Sequence, residues 1–297
     1  MKILITGCNG QLGWELCRQA PDKGFDIIPF DLPEFDITQP DIVKGVVSKS
    51  KASVVINAAA YTAVDKAESE PELAYAVNRD GPAYLALACN EEEIPLIHIS
   101  TDYVFDGNKK GPYLETDPVN PLGVYGKSKA EGEKEIRKNL TKHIIIRTAW
   151  LYGIQGNNFV KTMLRLAKNQ EVIRVVADQF GSPTYAGDLA KAILSFCEMI
   201  QEGRDRHWGT YHYAGDVNIS WHGFTEKIVE ISKNYFPLKV REIVPITSDE
   251  YPTTARRPVN SVLDCGRILS CGIERPYWLS SLRHVISSFQ AMSGNKR

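Results

Sequence analysis

Short apolar runs alternate with amphipathic stretches over the first 150 residues, the rhythm of successive βαβ units and a parallel sheet. The runs at 2–6, 25–30, 53–57, 95–100 and 143–148 predict strands, and the stretches at 11–20, 40–49, 72–91 and 121–138 predict helices. Ile3-Leu4-Ile5 and Ile144-Ile145-Ile146 are unbroken apolar triplets, as a strand covered on both faces requires. After residue 150 the rhythm loosens. Residues 158–168, 187–200 and 220–233 keep a helical period, whereas 178–185, 245–260 and 272–277 are loops punctuated by Pro and Gly. The fold class expected is α/β. A Rossmann-type doubly wound parallel sheet should span residues 1–150, joined by the helix at 187–201, as the dinucleotide-binding domain. A smaller mixed α/β lobe over 151–297 should cover the carboxyl edge of the sheet and bind substrate.

Composition narrows the picture only modestly. The 297 residues suffice for one large domain with a smaller lobe. Charge is balanced, 35 basic against 36 acidic residues, so neither nucleic acid nor a membrane surface is an expected partner. Six cysteines without C-x-x-C spacing read as reduced thiols. With no signal peptide and no run of 18 apolar residues, a cytoplasmic protein is expected.

Candidate chemistry begins directly after the first strand. Gly7, Gly10 and Gly13 lead into the first helix, where glycines permit a tight turn, close approach of a pyrophosphate and close helix–strand packing. Gln11 and Leu12 open that helix and belong to the expected cofactor contacts. Asp31 closes the second strand 18 residues after Gly13, near the interval for a carboxylate gripping a ribose diol. Asp36 and Ile37 could border the adenine, although Asp36 would serve equally as a helix N-cap. No Lys or Arg lies between Lys23 and Lys44, which favours NADH while leaving NADPH tolerated. Ala60, Tyr61 and Thr62 follow the third strand, where small residues let a cofactor lie against the backbone or let a helix pack tightly.

If 121–138 is helical, Tyr125 and Lys129 stand one turn apart on one face. Bringing a phenol of pKa ~10 towards neutrality needs about 4 kcal/mol, roughly what one cation ~4 Å away supplies at an effective dielectric of about 20. Thr101, at the carboxyl end of the fourth strand, can share a carbonyl oxygen with that phenol. A glycine loop, an acidified tyrosine and this threonine together indicate hydride transfer at a carbonyl.

Through these residues the chain resembles the extended short-chain dehydrogenase/reductase family, in its nucleotide-sugar 4-ketoreductase branch. The likeness continues in the run Asn57-Ala58-Ala59-Ala60-Tyr61-Thr62-Ala63-Val64-Asp65-Lys66-Ala67-Glu68 and in Ser100-Thr101-Asp102-Tyr103-Val104-Phe105. It extends through Val124-Tyr125-Gly126-Lys127-Ser128-Lys129, Arg147-Thr148-Ala149-Trp150, Asp178-Gln179-Phe180-Gly181-Ser182-Pro183-Thr184 and Arg257-Pro258. What the resemblance implies is NADH- or NADPH-dependent reduction of the 4-keto group of a dTDP-sugar, a 6-deoxy-L-hexulose. Tyr125 would be the proton donor. Lys129 would lower its pKa and hold the nicotinamide ribose, and Thr101 would bind the keto oxygen. Asp102, Tyr103 and Trp150 would lie near the sugar, although Trp150 could equally be a core aromatic. Related dehydratases carry glutamate where Tyr103 stands, so reduction fits better than elimination. Arg257, with Arg256, or else Lys161 and Arg165, could receive the diphosphate or be surface charge. Some members are dimers bridged by magnesium. Glu15 matches one ligand position but Gly187 replaces an expected acid, so Mg2+ is doubtful and a homodimer only an option. The six histidines lack metal spacing, and no metal site is expected. The chain also resembles the regulatory β subunit of methionine adenosyltransferase, against which the intact Thr101, Tyr125 and Lys129 argue.

Overall fold

The computed structural model describes residues 1–204 and 207–294; residues 205–206 and 295–297 of the expected lobe lie outside them. Among the described residues six strands build the central sheet: β1 (Lys2–Thr6), β2 (Asp26–Phe30), β3 (Val54–Asn57), β4 (Leu96–Thr101), β5 (His143–Thr148) and β6 (Gly209–His212). Their order is β6-β5-β4-β3-β1-β2, and every pairing is parallel. The longer helices are α1 (Gln11–Gln19), α2 (Pro40–Ser50), α3 (Gly81–Glu91), α4 (Val124–Asn139), α5 (Phe159–Asn169), α6 (Ala186–Gln201), α7 (Trp221–Ser232) and α8 (Trp278–Gly294).

Alternation along the strands distributes the core. Ile3 and Ile5 face α1 and α6, while Leu4 between them faces α2 and α3. Both apolar triplets are at most 1% exposed, as two-sided cover demands. Each such side chain contributes roughly 1.5–3 kcal/mol on burial. From β1 the chain steps outward to β2 and then returns to β3 on the opposite side. This reversal opens a crevice between the carboxyl ends of β1 and β3, the place where open α/β sheets bind ligands.

Two features of the sheet domain differ from the expected pattern. The stretch 72–91 is not one helix. A short helix, Pro71–Tyr75, passes through a π-helical turn, Ala76–Asp80, into α3. Pro82 removes a backbone donor at this junction, and Asn78 at the turn's centre directs its side chain outward to other elements. The sheet also gains β6 from beyond residue 150, in register with Ile144 to Arg147. Four residues are too few to show a strand period, and only the open edge of β5 recruits them.

The lobe has its own core of Tyr152, Val160, Phe224, Ile228 and Leu282 between α5, α7 and α8. Strands Val172–Val176 and Glu242–Ile246 pair in parallel beside it. Asn158 and Ser220 cap α5 and α7, accepting from the N–H groups of Lys161 and Gly223 at 3.1 Å each.

Candidate active site

The glycine turn is a cradle that side chains would fill. Gly7 has φ +71°, and a Cβ there would stand 2.6 Å from the Ala59 amide nitrogen. A Cβ on Gly13 would stand 2.0 Å from the Gly7 carbonyl oxygen. Gly10 caps α1 without a side-chain partner, and the first turn of α1 holds no acid. Its N–H groups and dipole are therefore directed at whatever occupies the crevice, a natural seat for a pyrophosphate. Gln11 and Leu12 line the cleft, and Gln11 Oε1 accepts from Asn158 Nδ2 at 3.0 Å, tying the glycine turn to the lobe.

The remaining expected cofactor residues divide. Asp31 lies just past β2, its carboxylate accepting the N–H of Asn9 (2.7 Å) and of Leu32 (2.8 Å). Asp36 folds back on Thr38, accepting its N–H and hydroxyl at 2.9 and 2.8 Å, and Gln39 rather than Asp36 occupies the N-cap of α2. Ile37 is buried, packed against Gly81, where an added Cβ would meet it at 2.7 Å. Ala60 and Thr62 line the cleft with Ala58. The Tyr61 ring turns elsewhere, its hydroxyl donating to Glu70 at 2.5 Å. Asn78 holds Tyr61 by the main chain, accepting its N–H (2.9 Å) and donating to its carbonyl (3.0 Å). The same amide donates to Ser128 Oγ on α4 at 3.1 Å.

Thr101, Tyr125 and Lys129 meet in one cleft of about 550 Å3, together with Asp102, Tyr103 and Trp150. Tyr125 stands in the first turn of α4. Glu68 secures that helix end by accepting the Val124 N–H at 2.8 Å, and a Cβ on Gly123 would meet the same carboxylate at 2.5 Å. Thr101 Oγ1 donates to Asp102 Oδ1 at 3.0 Å and accepts the Tyr103 N–H at 3.2 Å. Tyr103 meets Tyr125 edge-on, with centroids 5.6 Å apart. Two buried oxygens of this cleft, Asp102 Oδ2 and Thr148 Oγ1, have no hydrogen-bond partner among the described residues. Such groups cost free energy until a ligand's polar atoms meet them.

The electrostatics correct one expectation. The Lys129 ammonium does not acidify Tyr125 in this arrangement. Its Nζ donates to the Ile99 carbonyl at 2.6 Å and approaches His98 Nε2 at 3.3 Å. Burial pushes Tyr125 up to about 12, the Thr101 hydroxyl opposing and the Asp102 charge adding to the rise. Burial likewise lowers Lys129 to about 8 against the pull of Glu133, and raises Asp102 to about 6. Helical spacing placed the two side chains on one face but could not foresee a backbone carbonyl of β4 capturing the amine.

On the lobe side Trp150 has φ +46°, a left-handed backbone that a bulky residue seldom adopts. This turns its indole onto Trp221, rings parallel within 6° and 3.4 Å apart, and both rings line the cleft. Gly181 makes room, since a Cβ there would fall 2.4 Å from Trp150 Cε2.

With this geometry in view, comparison with known proteins becomes specific. The family model described as the RmlD substrate binding domain matches residues 1–291. A dTDP-4-dehydrorhamnose reductase of Aggregatibacter actinomycetemcomitans is 46% identical over 290 residues, 96% of this chain and 98% of that protein. The chain belongs to the dTDP-4-dehydrorhamnose reductase family. A crystal structure of such a reductase from Clostridium acetobutylicum superposes with TM-score 0.91 at 43% identity, covering 98% of this chain and 100% of the other. Another, from Bacillus anthracis in complex with NADP, gives TM-score 0.90 at 38% identity over 97% and 99%.

Within this dTDP-4-dehydrorhamnose reductase architecture several charged residues are already engaged. Arg257 Nη2 donates to Asp65 at 2.7 Å and does not line the cleft. Arg256 and Arg165 are exposed, while Lys161 donates to the Gly156 carbonyl at 2.7 Å. Glu15 is fully buried and accepts from Arg18, Gln19 and Tyr185, at 2.8, 2.9 and 2.8 Å for the shortest contacts. Among the described residues no cluster of three or more His, Cys, Asp or Glu could hold a metal, and no helix is long and apolar enough to cross a membrane. Sequence reasoning missed Trp221, Thr148, Asn78 and His98. Pro82 just after Gly81 hinted at the interruption that positions Asn78, and Thr148 lay within the Arg147–Trp150 run that carries the resemblance; Trp221 and His98 gave no signal.

Proposed function

We propose that the protein reduces the 4-keto group of dTDP-4-dehydro-6-deoxy-L-mannose (dTDP-4-dehydrorhamnose), yielding dTDP-L-rhamnose. One observation carries the reading: Thr101, Tyr125 and Lys129 together line the cleft into which the uncapped start of α1 also opens. A nicotinamide dinucleotide fits that cradle and would supply the hydride. Gly7, Gly10, Gln11 and Leu12 would hold its diphosphate, and Ala60 and Thr62 would leave room for it beside the backbone. Tyr125 would give its phenolic proton to the oxygen that was the ketone, with Thr101 hydrogen-bonding that oxygen. A phenol near 12 keeps its proton at neutral pH, so the donor form is the one present before reaction. Asp102 Oδ2 and Thr148 Oγ1 would meet sugar hydroxyls, and the Trp150–Trp221 pair would cover the sugar from the lobe.

Either reduced dinucleotide should serve, with NADH favoured. Asp31 would confront a 2′-phosphate, and residues 24–43 contain no basic side chain. Arg257 would act through Asp65 and the loop it anchors rather than on the diphosphate. With the carboxylate of Glu15 taken up by three side chains, we infer that no magnesium is bridged there. Six unpaired thiols fit the reducing cytoplasm.

The test is to incubate the purified protein with dTDP-4-ketosugars and NADH or NADPH, following absorbance and identifying the alcohol by NMR. Substrate-dependent oxidation with a rhamnose product is expected. A different sugar product would keep the chemistry and change the substrate; no oxidation with any ketosugar would overturn the proposal.

A further inference from the structure

Tyr125 sits in the first turn of α4, and that turn has no capping group of its own. Gly123 occupies the N-cap without a side-chain bond, and the first turn holds no acid. The turn is held from outside. Sideways, α4 lies flush on the backbone that follows β4: a Cβ on Gly126 would stand 2.1 Å from the Tyr103 carbonyl oxygen. Along the helix axis the hold comes from Glu68, 56 residues before Val124, whose N–H its Oε1 accepts at 2.8 Å. Gly123 is what admits the carboxylate, since a Cβ there would stand 2.5 Å from the same oxygen.

Glu68 follows the short helix Val64–Ala67, in a segment attached to both walls of the cleft. Thr62 and Val64 line the cleft. Asp65 receives the Arg257 guanidinium (2.7 Å) and the Ala255 N–H (3.0 Å) from the lobe. Asn78 grips the Tyr61 main chain, and Glu70 accepts from the Tyr61 hydroxyl at 2.5 Å. The backbone that carries Glu68 is therefore pinned on either side, and a carboxylate bonded to α4 from there fixes the helix against the cleft.

We propose that Glu68 is a positioning residue for the ketoreduction: by holding the Val124 N–H it sets the axial place of the Tyr125 phenol relative to Thr62, Val64 and Thr101 on the cleft walls. This deepens the reading of the cleft given above and rests on it. Proton and hydride must reach the two ends of one carbonyl, so the phenol has to be in register with the wall along which the dinucleotide would lie. A bond to the residue just before Tyr125 passes straight to it, because helical backbone has no slack over one peptide. Glu68 acts on place and not on acidity. What shifts the phenol is burial, the Thr101 hydroxyl and the Asp102 charge.

The experiment uses the full-length protein, labelled at its tyrosine rings for NMR, with Glu68→Ala alone and combined with Gly123→Ser. E68A removes the acceptor and opens the space beside Gly123. The serine then supplies a local cap, for which residue 123 already has the extended backbone (φ −118°, ψ 175°). That cap satisfies the helix end but ties α4 to nothing. E68A should lower Tm by about 2–4 °C and kcat by about 10-fold or more, with the dinucleotide Kd held within about twofold. In E68A/G123S the Tm should return while kcat stays low, the Tyr125 ring signals stay displaced and the midpoints of the kcat pH profile stay in place. A normal kcat in E68A overturns the proposal. So does recovery of kcat together with Tm in the double variant, because Glu68 would then be a cap and nothing more. Undisplaced Tyr125 signals in E68A/G123S overturn it as well, and that measurement needs no substrate. Absence of ketosugar turnover by the unaltered protein would remove the functional reading and leave the ring signals to decide this one.

Discussion

Gly181→Ala is the substitution through which the lobe's aromatic wall can be tested. The new Cβ would fall 2.4 Å from Trp150 Cε2, where ordinary contact begins near 3.4 Å, so the indole must yield by about 1 Å. It has little freedom to do so. Trp221 lies 3.4 Å beyond it, Phe159 packs on Trp221 at 4.4 Å, and the Thr184 N–H holds the Trp150 carbonyl at 3.2 Å. Overpacking of this kind costs about 1–3 kcal/mol, which for a chain of this length lowers Tm by about 5 °C. A displacement of ~1 Å in a substrate-positioning group costs up to about 100-fold in rate. Calorimetry and steady-state kinetics should therefore show a modestly lower Tm and kcat/KM for the ketosugar reduced by about 10- to 100-fold. Dinucleotide affinity should hold, because the glycine turn lies on the other wall. Adding Trp150→Leu to G181A should restore Tm without restoring kcat/KM. A lower Tm with an unchanged kcat/KM would refute the placement of the Trp150 indole on the sugar side.

Three other substitutions probe the remaining walls. Tyr125→Phe should lower kcat by at least ~100-fold with dinucleotide binding retained, and near-normal turnover in a folded variant would remove the proton-donor assignment. Asp102→Asn should trade activity for stability. The folded state holds the Asp102 proton up to about 6 against an ordinary 3.8, so Asp102's stability contribution is complete below 3.8 and lost as pH rises through 6. The amide should therefore stabilise the protein at pH 7 by about 2–3 kcal/mol, an advantage that vanishes below about pH 4; urea melts at the two pH values would expose a constant difference. Asn78→Ala leaves the Tyr61 N–H and carbonyl without their partner and removes the donor to Ser128 Oγ, which keeps its own bond to the Tyr125 carbonyl. Roughly 2–4 kcal/mol should be lost, and a thermal shift of less than about 2 °C would contradict the clamp.

Local pattern carried most of the sheet domain. β1 at 2–6 and β5 at 143–148 have the expected limits, because an apolar triplet between polar ends admits few alternatives. α1, α2 and α4 begin or end within a few residues of the periodic stretches that announced them. Spacing also sufficed to bring Tyr125 and Lys129 to one helix face near Thr101, since a helical turn and a strand end are local geometry. What it could not supply was the direction of each polar head. Ile37 went into the core against Gly81 and Arg257 to Asp65, each decided by a partner distant in the chain, while Tyr61 turned to the nearer Glu70.

From the order of its residues alone this protein declares a twisted parallel sheet, a glycine turn that excludes side chains, and the residue types for carbonyl reduction. Tertiary structure alone decided that β6 completes the sheet, that a left-handed Trp150 leans on Trp221, and that a backbone carbonyl captures the Lys129 amine beside His98. The division has a physical cause. Periodicity and turn chemistry act over a few residues, whereas a buried polar atom bonds whichever group the folded chain brings within 3 Å, and that neighbour can lie anywhere in the sequence.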